Sequence, residues 1–155
     1  MKRVLVAVDG SKSSDRAVEE VVKTVKHGTN AEVHLVNVQA RLLNDDALIG
    51  LRKEDIERYC YEQSSKALSW AEKILRENSI PFTAHRIVGP AAQSIVAQAR
   101  DLQCDAIVMG TRGLSRINGL TLGSVSMKVL HLSDRPVTLV RGDPPVEFTG
   151  RLSAS

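Results

Sequence analysis

A glycine-rich segment in the second half of the chain has the residue types and spacing for binding chemistry. It leaves a predicted strand at Gly110, passes Gly113 and reaches Gly123-Ser124 at the start of a predicted helix. The first N–H groups of a helix lack partners inside it and carry the positive end of its dipole, so they bind anions, phosphate above all. Gly123 has no side chain to block a phosphate from the backbone, and Ser124 and Ser126 add hydroxyl donors. The spacing alone fits two interpretations equally: a phosphate-binding loop, or a glycine turn and serine helix cap without a ligand.

Asp9 is the carboxylate that this loop would face. It ends the first predicted strand and precedes Gly10-Ser11. In a doubly wound parallel sheet of order 3-2-1-4-5, strands 1 and 4 are neighbours, and ligands bind where the winding reverses between them. That topology brings Asp9 close to Gly110, where a carboxylate could hold a ribose hydroxyl or a phosphate-bound Mg²⁺. The alternative is that Asp9 only caps the first helix.

Five apolar runs of strand length must position these residues. The first and fourth runs are almost continuously apolar, which indicates strands buried on both faces of a sheet. Helical patterns lie between all of the runs, and this alternation predicts an α/β domain with a parallel sheet and right-handed crossovers. The predicted strands cover residues 3–8, 33–38, 82–88, 106–109 and 137–141.

Four helical patterns connect the predicted strands. The first begins at Ser11, Ser13 or Ser14 and closes at His27-Gly28, and the second covers about residues 51–78. The third follows Gly89-Pro90, and the fourth begins near Gly123-Ser124. Their predicted core faces are Val18, Val21, Val22 and Val25; Ile56, Cys60, Ala67, Ala71, Ile74 and Leu75; Ala92, Ile95, Val96, Ala99 and Leu102; and Val125, Val129 and Leu132.

Composition excludes several classes of function. A chain of 155 residues, 43% hydrophobic and 25% charged, fits one globular domain. A net charge of +3 from scattered basic residues and an aromatic content of 3% argue against nucleic-acid binding. No run approaches the roughly 18 apolar residues of a membrane span, and the N-terminal run is too short for a signal peptide. Cys60 and Cys104 form no CxxC pair. We therefore expect buried thiols in a cytoplasmic protein.

Catalytic and metal-binding motifs are missing from the sequence. It contains no complete P-loop, no GxGxxG after the first strand, no GxSxG elbow and no HExxH. The histidines lie on different predicted elements without ligand spacing, so we predict surface or packing roles for them. They are His27, His34, His85 and His131.

The glycine-rich segment resembles the nucleotide-binding signature of the universal stress protein family, G-x2-G-x9-G-(S/T). Gly110, Gly113 and Gly123-Ser124 match every spacing of that signature. The opening VAVDGS at 6–11 resembles the family's first strand and its aspartate, and RPVTLVR at 135–141 resembles its last strand. The resemblance covers about residues 1–141 and leaves 142–155 as a C-terminal tail. Gly119 departs from the pattern by adding a glycine inside the nine-residue span.

The resemblance implies an open five-stranded α/β domain of order 3-2-1-4-5 with helices on both faces, Rossmann-like and of the adenine nucleotide alpha hydrolase type. It implies ATP binding and a homodimer formed through the last strand, from Val137 to Arg141. Asp9 would contact the ribose–phosphate region with a metal, Mg²⁺ being the candidate, and Val38 would offer backbone groups to the base. The nucleotide site implied by position consists of Ala7, Val8, Asp9, Val38, Met109, Gly110, Arg112, Gly113, Gly123, Ser124, Val125 and Ser126.

Three functions are compatible with this sequence. The first is a stress-response regulator in which ATP orders residues 111–122 and alters a surface read by an unidentified protein partner. The second is a slow ATP-hydrolysing enzyme, although Asp9 is the only carboxylate that the topology brings to the signature. The third is a dimeric interaction module without bound nucleotide. We expect neither nucleic acid nor a membrane as a partner.

Overall fold

Strands and helices alternate along the chain, as the sequence predicts. The computed structural model describes residues 2–41, 50–111 and 122–142. Residues 143–155 of the predicted tail lie outside the described residues. The strands are β1 (Lys2–Ala7), β2 (Ala31–Gln39), β3 (Phe82–Val88), β4 (Ala106–Gly110) and β5 (Val137–Val140). The helices are α1 (Lys12–Lys26), α2 (Lys53–Glu77), α3 (Ala91–Asp101) and α4 (Ser124–Leu132).

The five strands form one parallel sheet of order β3-β2-β1-β4-β5, which confirms the predicted topology. Ala7 at the end of β1 pairs with Val36 of β2 and Met109 of β4. The carboxyl ends of these three strands therefore lie at the same edge of the sheet. The winding reverses between β1 and β4, where open α/β sheets bind their ligands.

Helices cover both faces of the sheet and create two apolar cores. On the first face, α1 and α2 pack on a core that includes Val6, Val18, Leu35, Leu68 and Leu75. On the second face, α3 and α4 pack on a core that includes Leu5, Val36, Ile95, Ile107 and Val129. Aliphatic side chains supply nearly all of this packing, as the aromatic-poor composition requires. Both cysteines are buried and unpaired, as predicted, and burial raises the pKa of the Cys104 thiol. Within the described ranges, no helix combines the length and the apolar character needed to span a membrane.

The structure confirms the predicted face of α2 at Cys60, Ala71 and Leu75 and adds Ser64 and Leu68 to it. The buried row is Cys60, Ser64, Leu68, Ala71 and Leu75. The sequence analysis missed Ser64 because a serine does not count toward an apolar stripe. Ser64 can be buried because its hydroxyl donates to the Asn37 side chain. Only the folded chain brings these two residues together.

The face predicted for α4 is also partly wrong. Only Ser126 and Val129 of this helix are buried, whereas Val125 and Leu132 are exposed together with Met127 and Leu130. α4 packs against α3 and the edge strand β5, with Ser126 and Val129 on its buried side. The structure therefore leaves an apolar surface on the outer side of α4.

Two histidines meet between β2 and β3, which the sequence analysis did not predict. His34 Nδ1 lies 3.0 Å from His85 Nε2, and His34 Nε2 lies 2.9 Å from Glu32 Oε1. Because an ionised carboxylate only accepts, His34 donates from Nε2 and accepts at Nδ1 from His85 in the neutral pair. Burial and the neighbouring His34 lower the pKa of His85. In the part of the chain that the structure describes, no three His, Cys, Asp or Glu side chains converge as a metal site.

The first turn of α1 packs directly onto the ends of β4 and β5. Ser13 Oγ donates a hydrogen bond of 3.1 Å to the Val140 carbonyl. A Cβ atom on Gly110 would lie 2.6 Å from the carbonyl carbon of Ser13 and 2.7 Å from its Cβ. The close contact at Gly110 is therefore with the backbone of helix α1, and neither a smaller Ser13 side chain nor a rotamer change could relieve it.

We predict that Gly110→Ala lowers the free energy of unfolding by about 1–3 kcal/mol, because the α1 backbone must shift. Urea denaturation measures this change. Gly89→Ala is the matched control, since its Cβ would meet only the flexible Ser94 Oγ at 2.9 Å. Equal losses in the two variants would contradict the close packing of α1 on β4.

We also predict that the histidine pair makes stability depend on pH. The unfolded chain protonates His85 below about pH 6.5, whereas the folded chain does so only at a lower pH. The stability contributed by neutral His85 is therefore complete above about pH 6.5 and is lost as pH falls toward the folded pKa. Urea denaturation between pH 5 and 8 should give a shallower slope for His85→Asn than for the wild type. The exposed His131→Asn should keep the wild-type slope, and an unchanged slope in His85→Asn would refute this prediction.

Candidate functional site

A pocket of about 230 Å³ opens at the carboxyl edge of the sheet, where the winding reverses. Every predicted site residue that the structure describes lines it: Ala7, Val8, Asp9, Val38, Met109, Gly110, Gly123, Ser124, Val125 and Ser126. Arg112 and Gly113 lie outside the described residues. The lining also includes residues that the sequence analysis did not single out for the site, namely Ser14, Val36, Asn37, Ala91 and Ile95.

The deep wall of the pocket is aliphatic. Ala7, Val36 and Met109 come from the three adjacent strands β1, β2 and β4 and are all buried. Ile95 of α3 closes the same wall and belongs to the same core. This slot suits a flat apolar ring system held between aliphatic side chains, without aromatic stacking.

The end of β2 presents main-chain groups to the pocket. The β1–β2 ladder ends at Ala7 and Val36, and the last main-chain bond runs from Val8 N to Val36 O at 2.9 Å. Peptide groups alternate along a strand, so Val38 faces the same side as Val36. Within the described chain, no main-chain bond from Val38 to β1 continues the ladder. Its N–H and C=O therefore point into the opening as an adjacent donor and acceptor.

The start of α4 supplies donors for an anion. Gly123 is the N-cap, with φ −61° and ψ 153°, and no side chain caps the helix. The first N–H groups of α4 consequently face the pocket beside Ser124, which is exposed. Ser126 is buried, and its hydroxyl donates to the Gly110 carbonyl at 2.8 Å. The hydroxyl hydrogen of Ser126 therefore joins α4 to β4.

Asp9 is exposed at the mouth of the pocket. Its Oδ1 accepts a hydrogen bond of 2.9 Å from the Ser11 N–H. The cap of α1 is Ser11, whose Oγ accepts from Ser14 N at 3.2 Å, so the interpretation of Asp9 as the helix cap is wrong. Burial, followed by the negative charges of Asp9 and Glu19, raises the pKa of Asp15. This side of the pocket is therefore acidic and favours a cation.

These groups are arranged to bind a ligand. Among the described residues, Asp9 is the only titratable side chain that lines the pocket. The aliphatic slot, the polar edge of Val38 and the start of α4 follow one another along the sheet edge. Together they match a ligand with a flat ring at one end and an anionic group at the other.

Comparison with known proteins gives the relationships of this chain. The model of the universal stress protein family matches residues 1–141. The universal stress protein YxiE of Bacillus subtilis is 30% identical over 146 residues, which cover 90% of this chain and 98% of that protein. A universal stress protein of Thermus aquaticus is 35% identical over 145 residues, with 90% and 98% covered.

Solved structures share the fold. A universal stress protein family protein from Arabidopsis thaliana with AMP bound is 19% identical, with a TM-score of 0.68 and 91% and 92% of the two chains covered. The Archaeoglobus fulgidus universal stress protein in complex with dAMP is 23% identical, with a TM-score of 0.63 and 90% and 97% covered. A universal stress protein in complex with cAMP is 25% identical, with a TM-score of 0.63 and 92% and 98% covered. With the family model matched from residue 1 to residue 141, the chain belongs to the universal stress protein family.

Proposed function

We propose that the chain binds an adenine nucleotide, ATP with Mg²⁺, and acts as a nucleotide-dependent regulator in the stress response. The observation that carries this proposal is a single pocket combining the main-chain edge of Val38 with the uncapped start of α4. Family members whose structures contain AMP, dAMP or cAMP support the choice of an adenine nucleotide.

The base would lie in the aliphatic slot with its polar edge against Val38. Adenine offers a ring nitrogen that accepts beside an amino group that donates, which complements the N–H and C=O of Val38. The phosphates would then reach the N–H groups at the start of α4, where the helix dipole favours negative charge. Arg112 and Gly113 would follow the ribose and phosphates.

The residues present fit a nucleotide-bound Mg²⁺. Mg²⁺ keeps several waters and is usually bound by one or two carboxylates together with phosphate oxygens. Asp9 supplies one such carboxylate at the mouth of the pocket, and Ser11 N–H orients it through Oδ1. A cation there would also offset the negative charge that Asp9 and Asp15 share.

A switch would act through the segment between β4 and α4. Gly123 N donates to Thr111 O at 2.7 Å, so the segment 112–121 departs and returns at one point beside the phosphate site. A nucleotide that bound one arrangement of this segment more tightly would shift its population and thus the surface offered to a protein partner. Hydrolysis is the weaker alternative, because Asp9 is better used on the metal than as a base for water.

A second copy of the chain is the partner we propose for β5. Pro136 and Val140 direct their carbonyls to β4, so the main-chain groups of Val137 and Leu139 face the open edge. An open edge pairs readily with another strand. The exposed apolar residues Met127 and Leu130 of α4, which packs against β5, would add buried area to such a dimer. If no nucleotide binds, this dimer favours a function as an interaction module.

We predict that Gly123→Val lowers ATP affinity at least tenfold, since its side chain would stand where a phosphate meets the start of α4. Isothermal titration calorimetry with and without Mg²⁺ measures this loss. Asp9→Ala should bind ATP with no gain from Mg²⁺. Mass spectrometry of denatured wild-type protein should identify a co-purified adenine nucleotide.

The control for this experiment is Lys128→Ala, an exposed change on α4 away from the pocket lining. It should leave the ATP affinity unchanged. Wild-type affinity in Gly123→Val would refute the proposed site. ATP turnover that survives in Asp9→Ala would point to a contaminating enzyme.

We further predict that the wild type is a dimer at micromolar concentration and that Leu139→Pro is a folded monomer. Proline removes an edge N–H without removing a bond to β4. Sedimentation equilibrium measures the mass, and circular dichroism checks folding. Leu139→Val, which keeps the N–H but loses comparable packing, should remain dimeric. A monomeric wild type would contradict the proposed dimer.

A further inference from the structure

A buried amide lines the pocket near the end of β2. Asn37 is 2% exposed, and its Nδ2 donates to the Val8 carbonyl at 2.7 Å. Its Oδ1 accepts from Ser64 Oγ and from Gln39 Nε2, each at 2.8 Å. A main-chain carbonyl only accepts, so the Val8 carbonyl requires Nδ2 on its side and sets the orientation of the Asn37 amide.

The bond from Asn37 replaces a bond that a regular sheet would make. After Val8 N donates to Val36 O, the next step of a parallel ladder is a bond from Val38 N to Val8 O. Asn37 Nδ2 satisfies that Val8 carbonyl instead. The peptide N–H of Val38 is thereby left available at the edge of the pocket.

We propose that Asn37 is a positioning residue that determines base selectivity. By holding the Val8 carbonyl, it prevents β1 and β2 from pairing for one more residue, and so it keeps the Val38 N–H for a ring nitrogen of the base. Adenine accepts and donates at this edge in the order that Val38 requires. Hypoxanthine carries a donor and an acceptor in the opposite order and is therefore excluded. This inference rests on the proposed nucleotide-binding function.

Ser64 on α2 helps to hold the Asn37 amide in place. Ser64 is buried and directs its hydroxyl to Asn37, so α2 fixes the amide from the helix side of the sheet. Removing the amide alone would leave both the Ser64 hydroxyl and the Val8 carbonyl without partners. Replacing Asn37 and Ser64 together by apolar residues removes the first of these costs and gives a variant suited to testing.

The test compares the wild type with the double variant Asn37→Val, Ser64→Ala, using AMP and IMP as probes in calorimetry. The wild type should prefer AMP. The double variant should lose about tenfold in AMP affinity, the upper end of one net hydrogen bond, and keep its IMP affinity. Leu68→Ala is the matched control, since it weakens the α2 packing without touching the pocket. It should preserve the AMP-to-IMP ratio.

Amide hydrogen exchange measured by NMR gives a readout that needs no nucleotide. In the wild type, the Val38 amide should exchange faster than the Val36 amide. In the double variant, the Val38 N–H should bond to the Val8 carbonyl. Its exchange should then slow by up to about tenfold. Loss of packing alone would speed exchange at both positions.

The two readouts separate this inference from the proposed function. An unchanged AMP-to-IMP ratio in the double variant, with a wild type that prefers AMP, overturns the role of Asn37 and leaves nucleotide binding intact. A wild type that binds no adenine nucleotide refutes the proposed function. In that case the exchange rate of Val38 still tests the role of Asn37. An unchanged rate in the double variant overturns that role by itself.

Discussion

Main-chain hydrogen bonding at the point where β1 leaves the sheet is the constraint on which this structure depends. Peptide groups that lose their ladder partners inside a protein must find others. The Asn37 amide donates to the carbonyl of Val8, and the Asp9 carboxylate accepts from the N–H of Ser11. These side chains allow β1 to turn into α1 within a few residues. The same departure opens the crevice between β1 and β4 that forms the pocket.

The packing of α1 sets the other boundary of this crevice. Ser13 is held against Val140 and leaves no room for a side chain on Gly110. The glycine therefore serves two neighbours, because its carbonyl also accepts from Ser126 of α4. Helices on opposite faces of the sheet are joined through one residue of β4. The position of the start of α4 is thus linked to the packing of the first core.

Much of the fold could be predicted from the sequence, because strand runs and helix stripes are local patterns. The parallel sheet and the face of α1 follow from alternation and spacing, and the family resemblance implies the strand order that the structure has. The contact between His34 and His85 depends on the register of β2 against β3, which no local pattern specifies. The sequence analysis also missed Asn37 and Ser64. Each is polar and becomes buried only because the other is present, and no local pattern shows that they meet.

The bond between Gly123 N and Thr111 O has a consequence for how this site can diversify. It joins the residue that follows β4 directly to the N-cap of α4. The entropic cost of loop closure rises only slowly with length, so residues between Gly113 and Gly123 could be added or exchanged without strain on the sheet. The sequence between these two glycines can then change while the carboxyl edge of the sheet keeps its geometry.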